Sequence, residues 1–240
     1  MSQRKDGSKM KDHKKRDLLS GFILLTTFVV WTILIQYIDV QKAGPNETEI
    51  GFATFNVWFH KVTGEHMSIY TITDWLGLVP IVICMCFGVL GIVQLIKRRS
   101  LLKVDADIIL LGVYYVLVII GYLLFEMVPI NYRPVLIEGY LEASYPSSTT
   151  LLVLSVMPTL KFQIDRRSAS PIFKNVITAF VVGFSAFMVI GRLISGVHWA
   201  TDIMGSVFLS SGLFMIYKFA AEYNSSKKPN HKVEASDGVQ

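Results

Sequence analysis

Three parts of the chain carry residues whose types and spacing could do chemistry: Arg133; the stretch YPSSTTLLVLS from Tyr145 to Ser155; and Arg192 with His198 and Asp202. In the stretch, Pro146 and four consecutive hydroxyl residues, Ser147, Ser148, Thr149 and Thr150, open onto an apolar helical run. Backbone N–H groups at a helix start, with hydroxyls beside them, suit a phosphate or another oxyanion. His198 and Asp202 are four residues apart, so on a helix they share one face and can hydrogen-bond. A carboxylate on one imidazole nitrogen leaves the other nitrogen basic and aimed, as a nucleophile requires. Two arginines can hold phosphate oxygens bidentately and offset charge that develops in a transition state. A proton donor is missing from the stretch itself, since none of its residues is an acid at neutral pH. A plainer reading of the same residues has the arginines anchoring headgroups and the His–Asp pair capping a helix.

The elements that must position these residues are membrane helices. Of 240 residues, 52% are apolar and only 17% charged, and the mean hydropathy is +0.48. A soluble domain of this length carries more charge. Six apolar runs follow one another: 18–38, 75–96, 108–125, 149–160, 176–190 and 203–219. The first two are long enough to cross about 30 Å of hydrocarbon as single helices. The later four are shorter or end in polar residues, as helices do whose ends line something wet. The expectation is an all-α membrane protein with six spans.

Lysine and arginine counts orient it. Nineteen of the 23 lie before the first span, after the second and fourth, and in the C-terminal tail, whereas Lys42, Lys61, Arg133 and Arg192 fall on the opposite side. The basic side is cytoplasmic, so both termini are expected inside and the chemistry-bearing residues outside, with the plasma (inner) membrane as the location. The high pI is thereby a topology signal and calls for no nucleic-acid partner. Residues 1–17 read as a mobile basic tail, 18–222 as the membrane domain and 223–240 as a mobile polar tail. In the long outer loop, GFATFNVWFHKV has helical spacing and reads as a short interfacial helix, with Trp58, Tyr70 and Trp75 as interfacial aromatics. His60 and His66 belong to the same interfacial region, and His13 and His231 to the solvated tails. Cys84 and Cys86, two apart on a helix, point in different directions and are packing residues. No cluster has metal-ligand spacing, and no cofactor is expected.

The order and spacing of the polar residues resembles the type 2 phosphatidic acid phosphatase family, whose membrane members have six helices and the motifs KxxxxxxRP, PSGH and SRxxxxxHxxxD. Arg133-Pro134, Pro146-Ser147 and the Arg192, His198, Asp202 trio match those motifs in order. The resemblance implies a six-helix bundle acting on a membrane lipid substrate, a lipid phosphate or isoprenyl diphosphate. It also implies metal-independent chemistry, with His198 attacking phosphorus and forming a phosphohistidine, Asp202 behind it, and Arg133, Ser147, Ser148, Thr149 and Arg192 around the phosphate. Four positions depart from the pattern: Glu126 for lysine, Ser148 for glycine, Thr149 for the second-motif histidine and Gly191 for serine. The family's second-motif histidine protonates the leaving alkoxide, which a threonine hydroxyl cannot do near neutral pH. Losing a general acid costs on the order of 10²–10⁴ in rate. Three outcomes follow from the departures. The substrate has a good leaving group, such as the phosphate that departs from a diphosphate; or another residue, Glu126 first, with Glu138 and Glu142 also near in sequence, donates the proton; or the site binds lipid phosphate without turnover.

Overall fold

The computed structural model describes residues 2–227, with side chains from 13 to 225. Eight α-helices follow in order: α1 Ser2–Tyr37, α2 Ala53–Thr63, α3 Met67–Leu76, α4 Leu78–Arg98, α5 Ala106–Met127, α6 Ser148–Arg167, α7 Pro171–Ile194 and α8 Ala200–Lys227. A two-residue antiparallel hairpin, β1 Gln41–Lys42 with β2 Glu49–Ile50, sits between α1 and α2. The GFATFNVWFHKV segment forms α2. Ser170 caps α7 by accepting from the Phe173 N–H, and Pro171 occupies the first turn, where its missing donor costs nothing.

Among the described residues, five helical stretches are long and apolar enough to cross a membrane: 13–37, 67–98, 106–127, 171–194 and 200–225. Their outer surfaces agree. On α1, Phe22, Ile23, Val30 and Ile33 are exposed, while Phe28 and Ile35 turn inward. Apolar surface of that extent is stable against hydrocarbon and not against water.

The expected fourth span is where sequence and structure part. Helix α6 ends in Lys161, Gln163, Asp165, Arg166 and Arg167 and falls short of the apolar length a crossing helix shows. It packs against α4, α5, α7 and α8, and Val153, Val156, Met157, Thr159 and Gln163 are buried on it. A helix enclosed by other helices meets little hydrocarbon, so its apolar run is not required to be long.

The basic N-terminal stretch is continuous with the first helix. Helix α1 begins at Ser2, Lys14 Nζ donates to the Glu222 carbonyl at 3.0 Å, and Asp17 pairs with Lys218 at 2.9 Å. Helix α8 continues to Lys227; residues 228–240, with His231, lie outside the described residues. At that same end of the bundle, Arg98, Arg166 and Arg167 pair with Asp105 and Asp107. The opposite end holds the C-terminus of α5, the start of α6 and the α7–α8 turn, and there the candidate chemistry gathers.

Candidate active site

The loop from α5 to α6 reaches the bundle through Tyr145. Its ring stacks on Phe28, meets Phe125 edge-on and donates to or accepts from Thr32 Oγ1 at 2.7 Å. Gly205 lies against that ring, where a β-carbon would overlap it. Anchored so, the loop hands Pro146 and Ser147 to the start of α6. Ser147 is the N-cap residue, and the amides of Ser148, Thr149 and Thr150 have no acceptor within the helix. Ser147 is fully buried, and its hydroxyl donates to Thr150 Oγ1 at 3.1 Å rather than facing the cavity.

His198 lies in the turn between α7 and α8, ahead of the helix that begins at Ala200. The expected direct bond to Asp202 is therefore not made: Nδ1 stands 4.0 Å from Asp202 Oδ2. Ser144 fills the gap. Its hydroxyl donates to Asp202 Oδ2 and lies 3.1 Å from His198 Nδ1, and its carbonyl is also 3.1 Å from Nδ1. With the Ser144 O–H directed at the carboxylate, Nδ1–H donates to the Ser144 oxygens, which leaves the lone pair on Nε2. Asp202 accepts further bonds from Asn131 Nδ2 at 3.1 Å and the Trp199 N–H at 2.9 Å. Nε2 is buried and has no partner among the described residues. Burial holds His198 well below the ordinary histidine range, and the charges of Arg133 and Arg192 push the same way against a weaker opposing pull from Ser144.

Arg133 and Arg192 flank one aromatic ring. Their guanidinium carbons lie 5.9 and 4.8 Å from the centre of Tyr70. Arg133 Nε is 3.0 Å from Glu142 Oε2. Arg192, 1% exposed, donates through Nη2 to Asp74 Oδ1 at 2.9 Å and to Thr149 Oγ1. Arg133 Nε and Nη1 and Arg192 Nε and Nη1 have no hydrogen-bond partner among the described residues, so Glu142 holds Arg133 as an ion pair without hydrogen-bond geometry. Tyr70 and Asp74 both come from α3, which packs on α7 at Gly191. A β-carbon there would meet Thr73 Cγ2 at 2.7 Å, so the glycine at this motif position is what lets α3 approach Arg192.

Arg133 and His198 border a cavity of about 250 Å³ whose lining also includes Glu126, Glu142, Ser144 and Ser148, with Arg192 set back from it. Beside it, sharing Tyr122 and Ser148, an apolar groove of about 270 Å³ runs between α4, α5 and α6, past Leu78, Ile81, Val118 and Leu152. Thr149 and Asp74 line the groove.

The structure thus brings together Arg133, Ser148, Arg192, His198 and Asp202, with Glu126 on the cavity wall; it turns Ser147 inward and ties Thr149 to Arg192. Glu138 sits apart at an exposed turn with φ 51°. Four participants escaped the sequence reading. Tyr70, expected as an interfacial aromatic, faces the two arginines, and Asp74, Ser144 and Asn131 had no spacing that marked them. His60, also expected at the interface, meets the Gly196 carbonyl at 3.0 Å and the Trp199 ring, and so supports the His198 turn.

Residues 83–225 match the model of the PAP2 superfamily. Among solved structures, the chain is similar to the first transmembrane PAP2 type phosphatidylglycerolphosphate phosphatase from Bacillus subtilis, with TM-score 0.62 and 14% identity, over 88% of this chain and 98% of that one. A likeness at that identity speaks for the fold. A search of the curated proteins gave no match.

Proposed function

The chain belongs to the PAP2 superfamily, and from that premise we propose that it hydrolyses a membrane lipid phosphate or prenyl diphosphate through a phosphohistidine at His198. The chain is an integral membrane protein of the membrane-phosphatase fold. We read α6 as a sixth span inside the other five, both termini as cytoplasmic, and the site as opening on the outer face, on the strength of the lysine and arginine distribution. The division into a basic tail 1–17, a membrane domain 18–222 and a polar tail 223–240 belongs to the same reading. The observation that carries the function is the buried, unpartnered Nε2 of His198 on the wall of a cavity shared with Arg133.

In the proposed reaction Nε2 attacks phosphorus; the N–P bond forms as the P–O bond to the leaving group breaks, and the leaving oxygen takes the electron pair. Arg133, Arg192 and the first amides of α6 hold the phosphoryl oxygens and offset their charge. Asp202, acting through Ser144, favours the imidazole as its positive charge grows. Water then attacks phosphorus and gives up a proton to solvent or to the phosphate formed, the N–P bond breaks, and Nε2 regains its lone pair. The lipid tail would lie in the apolar groove. No acid stands at Thr149, whose hydroxyl already accepts from Arg192, so the leaving oxygen either departs as an acidic phosphate or takes a proton from Glu126 on the cavity wall.

The test is a denaturing quench at alkaline pH, where a phosphohistidine survives, with ³²P-labelled lipid monophosphate and prenyl diphosphate. Label should appear on the parent and vanish in His198→Ala along with turnover. Absence of label and turnover on both substrates, with the lipids still bound, would instead support a lipid-phosphate binder. The pairing of both arginines with carboxylates is the feature that favours this second reading.

A further inference from the structure

Both guanidinium groups that would grip a phosphate already hold a carboxylate: Arg133 has Glu142 and Arg192 has Asp74. Glu126, which forms no ion pair among the described residues, lines the same cavity as Glu142, Arg133 and His198. On the cavity wall two carboxylates, Glu126 and Glu142, thus face one guanidinium, Arg133, while Asp74 of the second pair lines the adjoining groove. The cavity nonetheless has the mark of a ligand site. The His198 side chain is 1% exposed, yet Nε2 has no partner, and a buried nitrogen left so is a place for a ligand atom.

A bare phosphate that captured Arg133 would release Glu142 beside its own oxygens, with Glu126 on the same wall. The repulsion among these like charges opposes much of the attraction gained. An anion that arrives with a covalently attached cation avoids that penalty, because the cation takes the displaced Glu142 and the unpaired Glu126 as partners. Position 126 points the same way. The resembled motif has lysine there, which would help bind a bare phosphate, whereas a glutamate helps bind an ammonium. The division of space also agrees: the polar cavity suits a small headgroup, and the adjoining groove is apolar enough for a chain.

Resting on the phosphate-site reading above, we infer that the cavity selects phosphates carrying an ammonium group a few ångströms from phosphorus, of the phosphoethanolamine kind. The phosphate sits on Arg133 and His198, and the ammonium lies between Glu126 and Glu142. Binding and turnover are then set by different features: the headgroup's charge pattern governs affinity, and the leaving group governs rate.

The test is calorimetric binding of O-phosphoethanolamine and of inorganic phosphate to the full chain in detergent at low ionic strength. The parent should bind O-phosphoethanolamine about fivefold more tightly, the size of a favourable partly exposed ion pair, and added salt should narrow the difference. Glu126→Gln with Glu142→Gln should bring the two ligands within about twofold of each other. Glu126→Gln alone, at an exposed position without an ion pair, guards against a variant that fails to fold and should already narrow the gap. Equal or tighter binding of inorganic phosphate to the parent, with both ligands lost in Arg133→Ala, would overturn this inference and leave the phosphate site standing. Failure of the parent to bind either ligand would remove the phosphate site and the inference together.

Discussion

Ser144→Ala isolates the contact that separates this site from a plain histidine–aspartate pair. The serine hydroxyl donates to Asp202 Oδ2 and receives His198 Nδ1–H, whereas the carboxylate and the imidazole are 4.0 Å apart. At 4.0 Å and an effective dielectric of about 20, a full imidazolium and a carboxylate attract by about 4 kcal/mol. The imidazole carries only part of that charge while the N–P bond forms. A hydrogen bond to a charged group contributes about 1.5–3 kcal/mol. Ser144→Ala removes that bond but keeps the backbone carbonyl on Nδ1, so the tautomer is retained. The expected fall in kcat/KM is therefore about 10- to 100-fold, with KM nearly unchanged because no phosphate contact is touched. The assay is prenyl diphosphate hydrolysis by the parent, Ser144→Ala, Asp202→Asn and the double variant. If the carboxylate acts through the serine, the double variant is no worse than the poorer single variant. Ser144→Thr, which keeps a hydroxyl, should recover part of the loss. A Ser144→Ala rate within twofold of the parent, or losses that multiply in the double variant, would refute the relay.

Three further outcomes are expected. With His198 as nucleophile and Thr149 unable to donate, a diphosphate should turn over at least about 100-fold faster than a monophosphate of the same tail, and Thr149→His with Ser148→Gly should raise the monophosphate rate selectively; equal parent rates on both would assign the proton to another residue, with Glu126 the first to replace. The acid limb of the kcat/KM–pH profile should lie below pH 6.5, because burial and the two arginines keep His198 neutral; and since the unfolded chain binds that proton more tightly, stability should fall as pH drops below 6.5, a loss that His198→Ala would lessen in acid denaturation. Asp74→Asn should tighten inorganic phosphate binding about two- to fivefold by freeing Arg192, a modest figure because the Asp74 side chain is 57% exposed; unchanged or weaker binding in calorimetry would show that the aspartate does not compete for the site.

How much of this was legible in the chain follows from the range of the interactions. Helix content and membrane character could be read along the sequence, because an apolar run makes its backbone bonds internally and meets hydrocarbon wherever it packs. Arg133, Arg192, His198 and Asp202 could be singled out for a similar reason: their spacing within two short stretches survives without knowledge of the fold. The shortness and polar ends of the 149–160 run are visible in the chain, but only the enclosure of α6 by four neighbours explains the polar residues along it. The relation of His198 to Asp202 is not legible in their spacing. Four-residue spacing implies a contact only on a continuous helix, and α8 starts between the two, so the gap falls to Ser144 from 54 residues upstream. Tyr70 and Asp74 reach the arginines because α3 can settle on Gly191, a contact between segments more than a hundred residues apart. Spacing along a chain encodes what one element can present. Which charges end up facing each other across the cavity is set by how the helices pack, and here that packing put a carboxylate on each arginine.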